Sequence, residues 1–245
     1  MHYSMRQASP IPALLSTELT IRMTKRDLQA VVFDLDGLMF NTEELYEVVG
    51  AEMLRRRGHE WTQKLLDAMM GRPTPIAMAI MIEHHGLDDT VEALTDETNE
   101  IFLSILDDRL EPLPGLFELL AALEKHDVPK AIATSSGRAF VENVLDRFEL
   151  VPRFAEILTA ENVIQGKPHP EVYQKAAAAL GFMSEQILVL EDSENGCRAA
   201  VEAGAYAVAI PGDHSRNHDF TGAALVANSL ADERIYAALG IVPAG

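Results

Sequence analysis

The sequence predicts an α/β protein, a doubly wound parallel sheet with an all-helical segment inserted after the first strand. Three observations predict it. Short apolar runs recur along the chain, each followed by a helical pattern, and such alternation builds a parallel sheet covered on both faces. One long stretch, residues 43–110, breaks that rhythm with helical periodicity and no convincing strand. The apolar runs also end on polar residues, as expected where ligands gather at the carboxyl ends of parallel strands.

Taken in order, residues 29–34 read as the first strand because Ala30-Val31-Val32-Phe33 is short, β-branched and wholly apolar. The helical stretch follows and ends at Pro112-Leu113-Pro114-Gly115, a hinge-like break before a helix over 116–126. Strand 130–134 leads to helix 138–148, and a short strand near 155–158 precedes helix 170–180. Strand 187–191 leads to helix 194–203. Strand 206–210 runs into Pro211-Gly212, and a weak strand at 224–226 precedes a closing helix at 231–239. The domain expectation is an N-terminal extension over 1–27, polar and irregular with Met23 as a candidate start, then a core of 28–42 with 112–245, and a helical cap over 43–111. Within the cap, the methionines at 69–70, 78 and 81 read as packing residues.

The composition narrows the function. With 245 residues and 48% hydrophobic content, the chain can bury a full core. No apolar run approaches bilayer length, and the start lacks the basic region and sustained apolar stretch of a secretory signal, so no membrane partner is expected. A formal charge of −18 argues against a nucleic-acid polymer, whose phosphates demand basic surface. It leaves room for a small anion, because a metal and a few local cations reverse the field inside one cleft. Cys197 is the single cysteine, which fits a reducing cytoplasm, and its Ala-rich helical setting reads as a small buried hydrophobe. A monomer is favoured.

The chemistry-bearing residues lie just past the strands. Asp34-Leu35-Asp36-Gly37 puts two carboxylates on alternate positions at a strand end. Crowded like charges need compensation, and a hard divalent cation such as Mg²⁺ supplies it through oxygen ligands. A plain Asp/Gly turn would also account for this tetrapeptide alone. Thr134-Ser135-Ser136-Gly137 offers a hydroxyl and helix N-terminal amides for an anion, or simply an N-cap. Gly166-Lys167-Pro168-His169-Pro170 holds one lysine in a rigid loop, with His169 read as a loop residue rather than a base. Glu191-Asp192-Ser193-Glu194-Asn195-Gly196 places a second acid pair at a strand end, with Glu194 read as a solvated first-turn residue.

Each motif is weak by itself. Their order, each beyond a strand of one parallel sheet, is specific, and on these residues the chain resembles the haloacid dehalogenase-like superfamily, largely Mg²⁺-dependent phosphatases with a Rossmann-like core. The motifs span residues 29–212. The resemblance implies that Asp34 is a nucleophile forming an aspartyl-phosphate and that Asp36 is the general acid and base. It implies that Mg²⁺ is held by Asp34, the Asp36 backbone carbonyl and Asp192, with Glu191 supporting. Thr134, the Ser135 amide and Lys167 are then expected to hold the phosphoryl oxygens of a small phosphorylated metabolite, a sugar phosphate or a nucleotide.

Within the superfamily, Gly37 through Tyr46 and Met70-Gly71-Arg72 look most like the branch of pseudouridine-5′-phosphatase and β-phosphoglucomutase-like enzymes. Asp36 argues against dehalogenation, which needs no acid for the leaving group. Lys64, the only cap lysine, has nothing to mark it as the Schiff-base lysine of phosphonate cleavage. The main rival is a phosphosugar mutase. The mutases of this branch carry a His where this chain has Tyr46, and an Arg where it has Thr74 or Pro75. Arg72 is a candidate substrate contact, weighed equally against a surface residue. Asn41 stands where the family usually has Asp and is expected to shape the flap without loss of activity. A non-enzymatic phosphoacceptor or binding module is the remaining alternative.

Overall fold

The computed structural model describes residues 27–69 and 74–244. Arg72 and nearly all of the expected N-terminal extension lie outside them. Six parallel strands form one sheet: β1 (Ala30–Phe33), β2 (Lys130–Ala133), β3 (Glu156–Leu158), β4 (Ile187–Glu191), β5 (Tyr206–Ala209) and β6 (Leu225–Val226), in the order β3-β2-β1-β4-β5-β6. The chain steps outward from β1 to β2 and β3, then returns to place β4 on the other side of β1. Open α/β sheets bind their ligands at the carboxyl ends of the strands beside such a reversal, here β1 and β4.

Nine α-helices are seen among the described residues. Four form the insertion: α1 (Thr42–Arg56), α2 (Gln63–Met69), α3 (Thr74–His85) and α4 (Val91–Arg109). The others flank the sheet: α5 (Leu116–Lys125), α6 (Arg138–Asp146), α7 (Glu171–Leu180), α8 (Glu194–Glu202) and α9 (Glu233–Leu239). The last begins two residues later than its periodicity predicts, because the Asp232 carboxylate accepts the Arg234 amide at 3.0 Å and so caps the helix there.

The sheet is apolar on both faces, as a doubly covered sheet must be. Val31, Phe33, Ile132, Leu188 and Leu190 point into one core with α5, α6 and α9. Ala30, Val32, Ala131, Ala133 and Val189 face the other, against α7 and α8. That second face is largely alanine, and α7 and α8 answer with alanines of their own, at 176, 177, 199 and 200. Small side chains let these helices press closely onto the sheet, which sets how near their N-termini come to the strand ends. The methionines at 69, 78 and 81 are buried, and the Thr98 hydroxyl donates to Met53 Sδ at 3.2 Å, so these three are packing material, whereas Met70 lies outside the described residues.

The insertion joins the core through two adjacent chain crossings. Asn41 N–H donates to the Glu111 carbonyl at 3.1 Å and Leu113 N–H to the Met39 carbonyl at 2.9 Å. The Asn41 side chain locks the pair further: its Oδ1 accepts the Glu111 amide at 2.8 Å and its Nδ2 donates to the Arg109 carbonyl at 3.1 Å. An aspartate keeps the first bond and loses the second, setting a carboxylate oxygen against a carbonyl. Asn41→Asp is therefore expected to lose about 1 kcal/mol, read as a melting temperature about 2–4 °C lower in a chain of this size. An unchanged melting temperature would show that the side-chain latch contributes nothing.

Candidate functional site

Parallel strands that end together deliver their next residues to one place. Asp34 follows β1, Thr134 follows β2, and Glu191 closes β4 with Asp192 behind it. All four are buried. Lys167 enters from the loop before α7. Its Nζ donates to Asp34 Oδ1, to Glu191 Oε1 at 2.7 Å and to the Ala133 carbonyl at 3.0 Å. One ammonium thus links the ends of β1, β2 and β4. Burial alone would lower its pKa, yet the attraction of Asp34 and Glu191 outweighs burial and raises it above the ordinary lysine value.

Glu191 is saturated with donors. Oε1 accepts from Lys167 and from the Tyr173 hydroxyl at 2.6 Å, while Oε2 accepts the amides of Asp192 and Ser193 at 3.0 and 3.1 Å and the Ser193 hydroxyl at 3.0 Å. Burial opposes its charge, but Lys167 and these hydrogen bonds hold its pKa below the ordinary value. Tyr173 also turns its ring toward Lys167, with Nζ 5.0 Å from the centroid. Gly196, in the first turn of α8, makes this arrangement possible: a Cβ there would lie 1.6 Å from Glu191 Oε1.

Asp34 and Asp192 behave oppositely. Burial, first of all, pushes both carboxyls well above their ordinary values. Lys167 pulls the other way, and the neighbouring carboxylates add to the rise. One oxygen each from Asp34, Glu191 and Asp192 lie within 4.8 Å of one another. Because Glu191 is spent on its donors, Asp34 and Asp192 are the carboxylates left to hold a cation. Hard oxygen donors with surplus negative charge, in a place where both acids otherwise resist ionising, fit Mg²⁺.

Asp36 lies two residues beyond Asp34, past the end of β1. Its Oδ2 accepts from the Ser136 hydroxyl at 2.5 Å and from Thr134 Oγ1 at 3.3 Å. Its Oδ1 is buried and makes no hydrogen bond of normal geometry. Burial raises its pKa, and the Ser136, Thr42 and Thr134 hydroxyls only partly offset the rise. A carboxyl whose proton affinity is raised by burial is suited to proton transfer. Gly37 behind it adopts φ +71°, and a Cβ there would lie 2.4 Å from Asp192 Oδ2. Its amide donates to Thr42 Oγ1 at 3.1 Å.

The structure thus brings Asp34, Asp36, Thr134, Lys167, Glu191 and Asp192 together. Ser135 lies beside them but is exposed. Lys64 is exposed in α2, and His169 accepts the Glu171 amide at 3.3 Å, in keeping with a loop role. Sequence reasoning passed over five neighbours: Thr42, Glu43, Ser136, Tyr173 and His214. Thr42 and Ser136 sit inside or beside the motifs, where their hydroxyls were a usable signal. Tyr173 reads from the sequence as one more apolar position of a helix. His214 lies in a loop without periodicity. Glu43, with its carboxyl pushed up to about 7 by burial and by Asp192, reads as an ordinary first-turn acid.

The sequence profile of the family described as haloacid dehalogenase-like hydrolase matches residues 31–210. A bifunctional riboflavin kinase/FMN phosphatase of Arabidopsis thaliana is 30% identical over 212 residues, covering 86% of this chain, and the match spans 56% of that longer protein. A Drosophila melanogaster protein named "probable pseudouridine-5′-phosphatase" is 32% identical over 213 residues, covering 84% of this chain and 92% of that one. The crystal structure of CbbY from Rhodobacter sphaeroides in complex with phosphate superposes with a TM-score of 0.73 at 26% identity, covering 83% of this chain and 95% of that one.

Because Asp192 has a raised folded-state pKa, the cation-free fold binds its proton more tightly than the unfolded chain does. That penalty is present at neutral pH and vanishes as pH falls toward the ordinary carboxylate value of 3.8. In EDTA, Asp192→Asn should therefore melt above the wild type at pH 7.5, by about 2–4 °C for each kcal/mol relieved, with the gap closing as the pH is lowered. A gap that widens with falling pH would mean Asp192 is held ionised by something other than a cation.

Proposed function

Since this chain belongs to the haloacid dehalogenase-like hydrolases, we propose that it is a Mg²⁺-dependent phosphatase that cleaves a small phosphomonoester through an aspartyl-phosphate on Asp34. The observation that carries this reading is Lys167, whose ammonium touches Asp34 and the strand-end carbonyl of Ala133. Phosphoryl transfer is mainly positioning and neutralisation of spread charge, and a carboxylate attacks a phosphate only where cations cancel their repulsion.

In this reading Asp34 attacks phosphorus while Asp36 gives a proton to the departing alkoxide. Asp36, now ionised, then takes a proton from the water that cleaves the acyl phosphate, which restores both acids and releases phosphate. Thr134, the Ser135 amide and Lys167 steady the phosphoryl oxygens. Asp34, the Asp36 backbone carbonyl and Asp192 would hold Mg²⁺, with Glu191 acting through Lys167 and the Asp192 amide. The ion supplies positive charge to the phosphoryl group when bound.

The names FMN phosphatase and pseudouridine-5′-phosphatase describe small phosphomonoesters, which supports a small phosphorylated metabolite, a nucleotide or a sugar phosphate, as the substrate class. A cap built from α1–α4 would choose among them. The mutase alternative has less support, because Tyr46 is an aromatic packing residue here, its ring 4.5 Å from that of Phe102. The reading also takes the site to be a catalytic one in the cytoplasm.

Phosphate release from a panel of nucleotides and sugar phosphates tests the proposal. Activity should require Mg²⁺ and disappear with EDTA, and Asp34→Asn should abolish it. Asp36→Asn should lose about 10²–10⁴-fold, the usual weight of general acid–base catalysis. Equal rates for wild type and Asp34→Asn on every hydrolysed substrate would remove Asp34 as the nucleophile. Isomer formation exceeding phosphate release with a bisphosphate primer would favour the mutase.

A further inference from the structure

The strand next to β4 also reaches the site. After β5 the chain passes Ile210-Pro211-Gly212 and makes a single tight turn over Asp213–Ser215. Ser215 is fully buried, and its hydroxyl accepts the Gly212 amide at 3.1 Å while its own amide donates to the Gly212 carbonyl at 3.2 Å. This pinned turn throws His214 back across the strand ends. The His214 ring fills space that two glycines leave open: a Cβ on Gly212 or on Gly37 would lie 2.8 or 3.0 Å from its Cε1. Its Nε2 meets Asp192 Oδ2 at 2.7 Å, and only 14% of the side chain is exposed.

We propose that His214 is a positioning residue for the cation site, orienting the Asp192 carboxylate through this hydrogen bond. Among the described residues, it is the one side chain that hydrogen-bonds that carboxylate. With a cation bound the carboxylate is ionised and can only accept, so the ring then presents Nε2–H, and committing Oδ2 to it leaves the other oxygen for the ion. Metal-binding carboxylates depend on such outer partners, whose loss typically weakens binding about 10–100-fold. The tie matters more here because, among the described residues, the other bonds that hold Asp192 involve its backbone, whose amide donates to Glu191 Oε2. Left free, the side chain swings away from Asp34 toward the space the ring vacates.

The inference rests on the proposed cation site, and direct Mg²⁺ titration of the full chain by calorimetry separates the two. Wild type, His214→Ala and His214→Gln are compared, with melting curves to confirm that each is folded. The Ala variant should bind Mg²⁺ about tenfold or more weakly. The Gln variant should recover most of that loss, because its amide nitrogen reaches the same oxygen with a donor. Binding in the Ala variant as tight as wild type, or tighter, overturns the positioning role and leaves the cation site standing. A Gln variant no better than Ala overturns the hydrogen bond as its cause. A wild type that binds no Mg²⁺ overturns both.

Discussion

One buried ammonium organises this protein's active end. Lys167 Nζ reaches Asp34, Glu191 and the Ala133 carbonyl, and so ties together the ends of three strands that the sheet alone would only bring near one another. A buried lysine is costly unless it is paired, and so are buried carboxylates. Here each answers the other, but not evenly. Asp34, Asp36, Glu191 and Asp192 meet a single lysine, and Glu191 takes the largest share of the available donors. The shortfall falls on Asp34 and Asp192, whose carboxyls are pushed upward. The imbalance that makes the empty fold uncomfortable is the property a cation and a phosphoryl group would exploit.

The helices that cover the sheet are part of the same constraint. α7 and α8 pack on a face lined with alanine, and each carries one residue whose size is dictated by the site. Tyr173 sits beneath Lys167 and donates to Glu191, whereas Gly196 must be glycine because Glu191 occupies the volume of its side chain. Thus the core under the strand ends and the chemistry above them are one packed unit. Substitutions at Tyr173 or Gly196 would disturb both together.

Most of this was legible in the chain. The apolar runs marked β1, β2, β4 and β5 because buried parallel strands are apolar on both faces, and no competing pattern of that length fits. Asp34, Asp36, Glu191 and Asp192 stood out because paired acids at strand ends are expensive and so have a reason to be there. What the sequence hid depends on contacts between distant segments. Ser136, rather than Ser135, bonds Asp36, since which hydroxyl turns inward is decided by how the chain enters α6. Tyr173 looks like core until its hydroxyl is placed against Glu191. His214 carries no periodic or motif signal, and only the return of the loop after β5 sets it beside Asp192. The role of Asn41 is visible only in space: it donates as well as accepts at the joint between insertion and core.

The most direct test of the account is to find the phosphoryl group on the protein itself. The enzyme is quenched during turnover of a hydrolysed phosphomonoester, treated with borohydride to reduce any acyl phosphate, and digested for peptide mass spectrometry. The account predicts that the peptide carrying Asp34 is the one modified, with the change located at Asp34 by fragmentation and absent when substrate is withheld. A covalent phosphoryl group found on another residue, or turnover with no acyl phosphate at Asp34, would contradict it.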